Sequence, residues 1–514
     1  MQQPMTRALR RWTISSLAAT VLATTSMRAE IALGALFTDG VVLQREKPIP
    51  VWGRANPKQK IAVTFGDHTV QTTAGADGRW IIYLDAVPAS NDPAEIVVAA
   101  ANESVVIRDV LVGEVWLASG QSNMEWPISH VRDDEKKIAA VELPHLRHVK
   151  IDRTVAGTPA DSVKTSGWQK ASPDTVPGFT AVGYFFAREL HRRLRVPIGI
   201  INSSSGGTPI ESWMSDTSRR ATSLGAVIET RWQAAKAEWT PERIARYPAD
   251  LEAWQKAEAE ARATKTKNPL PWPPPPATDD SPSRPGGLFN GMIAPLQPFA
   301  LRGFLWYQGE ANVGRANEYQ ALFPAMIRAW RSNWGDDFLP FYFVQLPNYA
   351  DNEPNGRKWA HLREAQAKAL ELPRTAMAVT IDLGDPAEIH PTNKLEVGRR
   401  LAQIAKTETY HLPGDAFGPM FVGATREGSA LRVRFTHAAT GLVAHNRPVQ
   451  SLELAGADQV FHPATGKIER DTLVVTSPQV PAPVAVRYAW TNAPAANLYN
   501  GAGLPAEPFR SDDW

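Results

Sequence analysis

The 514-residue chain has no cysteine. That excludes disulfides, thiolate nucleophiles, iron–sulfur clusters and cysteine-based zinc sites, so stability must come from large cores. A strong charge of either sign is also missing. With 55 basic and 53 acidic residues the formal charge is +2, which is no footprint for nucleic acid or an anionic membrane. His-Glu-x-x-His is absent too, and the run His130, Asp133, Asp134, Glu135 reads as a solvated helix face, so neither metal nor cofactor is expected. No acid precedes Glu30. In that acid-free segment Arg7, Arg10 and Arg11 lead into a mostly apolar stretch over residues 12–25, with small Ala29 before a possible cut. This is the three-part shape of an export signal and too short for a spanning helix. Arg10-Arg11 leaves the general and twin-arginine routes both open. Removing residues 1–29 takes four arginines with it, leaving 51 basic against 53 acidic residues. The mature protein is expected to be periplasmic or secreted, with no membrane attachment.

What is present is an ordinary globular composition, 43% hydrophobic and 21% charged, in a chain long enough for two to four domains. Residues 30–108 predict a β domain: Ile61–Phe65, Trp80–Leu84 and Ile96–Val98 have strand-like patterns, with turn signals at Gly66-Asp67 and Asp77-Gly78. From Asp109 strands alternate with helices. Val110–Ala118, Ile198–Ile201, Phe304–Tyr307, Tyr342–Leu346 and Ala376–Ile381 read as strands. Val182, Phe185, Phe186, Leu190 and Leu194 lie near helical spacing, as do Val397, Leu401 and Ile404. Alternation of this kind predicts an α/β fold, a parallel sheet with helices on both faces, over 109–412. Residues 215–285 interrupt it as a helical insertion ending in the polyproline stretch 269–276. Alternating patterns at 431–435, 473–476 and 484–490 predict a second β domain over 413–514.

Open parallel sheets bind ligands beyond the carboxyl ends of their strands, so the chemistry should lie in four loops. They carry Gly120-Gln-Ser122-Asn123, Asn202-Ser-Ser-Ser-Gly206-Gly207-Thr208, Gln308-Gly309-Glu310-Ala-Asn312 and Asp382–Pro391. Acyl transfer by serine needs a hydroxyl at a tight strand exit, a base, a group that orients the base, and donors for the oxyanion. Ser122 has the first position. Of the 11 histidines, His390 alone falls in one of these loops with carboxylates close by, and imidazole titrates near working pH. The backbone N–H of Ser122, those of Gly206 or Gly207, and the Gln308 amide are candidate donors. Asn123, Glu310 and Asn312 are candidates for substrate contact or loop support. Each feature alone has a plainer reading as a turn or cap; together, in the right loops, they favour an enzyme.

Gly113-Glu-Val-Trp-Leu-Ala-Ser-Gly-Gln-Ser-Asn-Met-Glu-Trp-Pro127 resembles the first block of the sialate O-acetylesterase family, within the SGNH (GDSL-like) hydrolases. Gly199–Trp213, Phe289–Leu296, Trp306–Asn312 and Asp385–Arg400 resemble further blocks, as do Phe37–Arg45 and Asn497–Pro505. The resemblance spans nearly all the mature chain except 215–285. It implies a flavodoxin-like SGNH sheet and a serine esterase removing acetyl groups from sugars, with Ser122 as nucleophile and His390 as base. Three departures stand out. The family's usual aspartate three residues before the histidine is Ala387 here, so the orienting group is Glu388, Asp385 or a backbone carbonyl. The oxyanion-hole asparagine of the wider group is replaced by Gln308, and Ser205 stands where a tryptophan is expected. Acetylated sialic acid, xylan and xyloglucan all remain open as substrates. The competing reading is a non-catalytic carbohydrate-binding protein using some of the 17 tryptophans.

Overall fold

The computed structural model describes Met1 and residues 31–514 apart from 102, 265 and 267; the expected export signal lies outside the described residues except for Met1. The centre is a run of six parallel strands in the order Leu143–Lys150, Ile198–Ser204, Glu103–Gly120, Gly303–Tyr307, Phe341–Val344 and Thr375–Ala378. Gln169–Ala171 adds antiparallel to the Leu143–Lys150 edge, so the sheet is mixed. Strands 198–204, 303–307 and 341–344 are buried at every position, as expected for a sheet covered on both faces. The helices Ala181–Leu194 and Lys394–Ile404 pack on each other. Phe186 of the first meets Trp116, which also stacks on Tyr342. On the other side Trp306 packs against Phe323 and Trp330 of the helix Ala316–Asn333.

The chain order positions the site. After Glu103–Gly120 the chain builds two parallel strands to one side, then crosses and builds three on the other. The direction of winding therefore reverses at the carboxyl end of that central strand. This is where an open α/β sheet leaves a crevice, and the next helix begins with Ser122.

The expected break between residues 108 and 109 falls inside one strand, Glu103–Gly120. Its first half pairs antiparallel with Ser90–Ala100, its middle pairs with Val42–Gln44, and its end belongs to the central sheet. Asp109 marks the change. Its φ is +58°, and its carboxylate receives both Nη atoms of the buried Arg147 at 2.9 and 3.1 Å. A strand at Leu143–Lys150 was not anticipated. Its His145, Arg147 and His148 obscure the apolar pattern, yet Arg147 and His148 are buried.

The insertion is helical, with elements Asp216–Arg220, Gly225–Ala237 and Pro241–Thr264. The proline-rich return packs back on it through Trp272 against Trp254 and through Lys236 to Asp279 at 2.7 Å. Beyond residue 412 the described strands form two four-stranded sheets and a two-stranded pair. Among the described residues no helix is long and apolar enough to cross a membrane.

Candidate active site

The strand exit at Gly120 demands glycine. Its φ is +134°, and a Cβ there would collide with the Tyr307 carbonyl of the neighbouring strand. The chain is held at this close approach by Gln121 N–H donating to Tyr307 O and Ser205 N–H donating to Gly120 O, both at 3.0 Å. Ser122 then opens a four-residue helix, Ser122–Glu125. Gly206 lies directly against it, since a Cβ on Gly206 would stand 3.3 Å from Ser122 Cβ.

Ser122 Oγ and His390 Nε2, 268 residues apart in sequence, lie 2.9 Å apart. The imidazole is stacked on Trp126 with ring centroids 4.8 Å apart and an interplanar angle of 18°. Its other nitrogen, Nδ1, is 3.4 Å from Glu388 Oε1. The same oxygen accepts the His390 backbone N–H at 3.0 Å. Glu388 is thus the carboxylate brought to the ring. Asp385 is turned elsewhere and accepts the Ala387 N–H at 2.9 Å. Ser122 and His390 are half-buried, sheltered yet reachable from solvent.

Asn123 links the loops. Its Nδ2 donates to Glu310 and, at 3.1 Å, to the Ile389 carbonyl beside His390. Its Oδ1 accepts from the buried Lys394 ammonium. That ammonium also lies over the rings of Trp126 and Tyr307, 5.7 and 5.4 Å from their centroids. Burial pushes Lys394 down to about 7, opposed by the charges of Glu310 and Glu135. Burial likewise pushes the Glu310 carboxyl up, opposed by the Asn123 hydrogen bond.

The amides expected as oxyanion donors are arranged differently from the expectation. Gln308 Nε2 donates to the Thr208 carbonyl at 3.2 Å and to Asn312 Oδ1 at 2.7 Å. Because Asn312 Oδ1 also accepts the Ile210 N–H at 2.9 Å, the orientation of both amides is fixed by acceptors, and Gln308 presents only its oxygen elsewhere. Asn312 Nδ2 donates to Glu211 at 3.0 Å. The Gly206 N–H donates to Glu125 at 2.9 Å. Gly207, with φ of +71°, is exposed and has no heavy atom within 4 Å of an added Cβ.

Several residues that shape the site were not singled out from sequence. Glu125 and Trp126 lie in the first quoted block, three and four positions after the serine, where one helical turn returns a side chain beside it. Lys394 begins the helix after His390. Glu135 was read as part of a solvated face, but its side chain is fully buried. It accepts the N–H groups of Lys394 and Leu395 at 3.2 and 3.1 Å, joining the helix Asp133–Ala139 to the histidine-side loop.

A family model described as carbohydrate esterase, sialic acid-specific acetylesterase, matches residues 112–240 and 283–407. The crystal structure of XAC1771, a carbohydrate acetylesterase from Xanthomonas citri, is similar with a TM-score of 0.80. The two share 38% identity over 94% of this chain and 100% of that one. Sialate O-acetylesterase of Mus musculus is 27% identical, over 91% of this chain and 92% of the mouse protein. The Homo sapiens enzyme is 26% identical, over 91% of this chain and 90% of its own length. A mixed α/β sheet with this reversal point, and this likeness over the whole chain, define a carbohydrate O-acetylesterase. Within that class the chain belongs to the sialate O-acetylesterase family.

Proposed function

We propose that the protein is an exported serine esterase of SGNH type. It removes O-acetyl groups from sugars through Ser122, His390 and Glu388, on a catalytic unit spanning 109–412 between β units at 30–108 and 413–514. The observation that carries the mechanism is the 2.9 Å approach of Ser122 Oγ to His390 Nε2 at the sheet's reversal point. His390 takes the proton of Ser122 as Oγ attacks the acetyl carbonyl. The tetrahedral intermediate then collapses, breaking the bond to the sugar oxygen, which leaves with the proton from His390. Water repeats the sequence on the acetyl-enzyme, releasing acetate and restoring Ser122. Glu388 orients the ring and faces the imidazolium. The developing oxyanion is received by the backbone N–H groups of Ser122 and Gly207, because the Gly206 N–H and the side-chain amide of Gln308 already have acceptors. Gln308 and Asn312 instead brace the glycine loop.

The test is Ser122→Ala assayed on p-nitrophenyl acetate and on an acetylated oligosaccharide. Turnover of both should fall by about 10⁴-fold or more with the thermal transition unchanged. Wild-type turnover by that variant would remove Ser122 from the reaction. Retained glycan affinity together with an inert wild type would restore the carbohydrate-binding reading.

A further inference from the structure

Lys394 stands where three ordinary rules argue against a cation. It is fully buried, which is costly for an ammonium without a paired charge. It begins the helix Lys394–Ile404, and the dipole at that end disfavours positive charge. It also makes no direct ion pair. Among the described residues the one hydrogen-bond acceptor at its Nζ is the side-chain oxygen of the equally buried Asn123. Of the acids whose charges reach it, Glu135 is already occupied, its oxygens taking Arg132 and the backbone N–H groups of Lys394 and Leu395. Glu388 is turned to the imidazole. Glu310 remains, and the Asn123 amide stands between the two. Glu310 Oε1 accepts from Asn123 Nδ2, while its buried Oε2 has no hydrogen-bond partner among the described residues.

Asn123 is therefore held between a group that can only donate and one that, ionised, can only accept. The ammonium draws the amide oxygen to its side, and the carboxylate draws the NH₂ to the other. With the amide so oriented, its second N–H meets the Ile389 carbonyl at 3.1 Å. Asn123 follows Ser122 directly and Ile389 directly precedes His390. This one hydrogen bond thus ties the nucleophile's helix to the base's loop. An amide turned the other way would set its oxygen against both the carbonyl and Glu310, and the tie would break. We infer that Lys394 and Glu310 are positioning residues for acyl transfer, a buried ion pair bridged by Asn123 that latches the His390 loop onto the Ser122 helix. The inference rests on the reading of Ser122 as nucleophile and His390 as base, and adds to it the device that sets their separation.

The experiment compares the full chain with Lys394→Met, Asn123→Ala and the double variant. Lys394→Met keeps much of the apolar stem and removes the donor. Its kcat on p-nitrophenyl acetate and on an acetylated oligosaccharide should fall about 10- to 100-fold, the scale of a 1 Å misplacement, with KM held within about threefold. A purely structural role would lower the urea midpoint and leave kcat alone. Asn123→Ala should show the same split, and the double variant should lose no more kcat than Asn123→Ala, since both changes break one link. Wild-type kcat in Lys394→Met, losses that multiply in the double variant, or an Asn123→Ala defect confined to KM would overturn the inference; the last would put Asn123 on the substrate. Should Lys394→Met not fold, the kcat and KM of Asn123→Ala decide. Failure of the nucleophile reading shows separately, as wild-type turnover by Ser122→Ala. The latch is then read without turnover, by urea unfolding of the same three variants. A double-variant destabilisation smaller than the sum of the two single ones supports it, and simple additivity overturns it.

Discussion

Glu388 and Asp385, three residues apart on one loop, face different partners. Glu388 Oε1 lies 3.4 Å from the imidazole Nδ1, while Asp385 is used locally by the Ala387 N–H. A carboxylate opposite Nδ1 fixes the ring's tautomer and stabilises its cation, and where such an acid is buried its loss can cost 10⁴-fold. Glu388 is 38% exposed, so solvent shares that task and the expected penalty is smaller. Glu388→Gln should lower kcat on p-nitrophenyl acetate by about 10- to 100-fold, whereas Asp385→Asn should change it by less than about threefold. Equal losses, measured side by side, would mean that the loop's shape and not the carboxylate matters. Ala387, where the family's usual acid is absent, is exposed and contributes no functional group. Sequence spacing could bring both acids near His390 but could not choose between them. Both carboxylates accept a backbone N–H, Glu388 that of His390 and Asp385 that of Ala387; the choice depends on which of the two the folded turn also sets opposite Nδ1.

Among the elements, the strand Leu143–Lys150 carries the least readable pattern and a testable pH response. His148 is buried and stacked on Phe179 with centroids 4.3 Å apart, and burial holds its imidazole down at about 3, below the ordinary 6.5. In the unfolded chain that imidazole gains a proton as pH falls through 6.5; in the folded protein it stays neutral until about 3. The unfolded state therefore binds more protons across this window, so the neutral site's contribution is complete above pH 6.5 and is lost progressively toward pH 3. Urea unfolding at a series of pH values should show His148→Gln with a shallower loss of stability between pH 6 and 4 than the wild type, by about one proton per molecule. Identical slopes would mean that His148 is protonated in the native state. The strands rich in Val, Ile, Phe and Trp were legible because apolar content and burial coincide in them. Leu143–Lys150 was not, because Arg147 and His148 are buried through partners distant in sequence, Asp109 and Phe179. Gln308 shows the same limit within the site. Its loop was identifiable from the alternation of strands and helices, but its N–H groups turn to Thr208 and Asn312, and no local pattern encodes that.

At the scale of the whole molecule, the regions flanking the central sheet are tied to it by continuous backbone and buried charge. On the C-terminal side the fully buried Arg363 donates to the carbonyls of Leu346 and Pro347 in the central unit and to those of Thr491 and Asn492 beyond it. On the N-terminal side the connection is the strand Glu103–Gly120, which pairs with Ser90–Ala100 and Val42–Gln44 before it reaches the catalytic loop. Asp109 is the pivot of that strand, held at positive φ by the buried Arg147 and by Lys170 at 2.9 Å. Asp109→Ala would leave the Arg147 guanidinium buried with only the Gly40 and Pro144 carbonyls as partners. Breaking a buried pair from one side costs about 3 kcal/mol, somewhat less here because Asp109 is partly exposed. Because the pivot lies within a strand shared by two pairing partners, the loss should be felt by both at once. Calorimetry of Asp109→Ala should therefore show one transition moved to lower temperature, with esterase activity lost over the same interval. A new low-temperature transition that leaves activity intact would mean that residues 31–108 fold as an independent unit, and that Glu103–Gly120 joins two domains without coupling their stabilities.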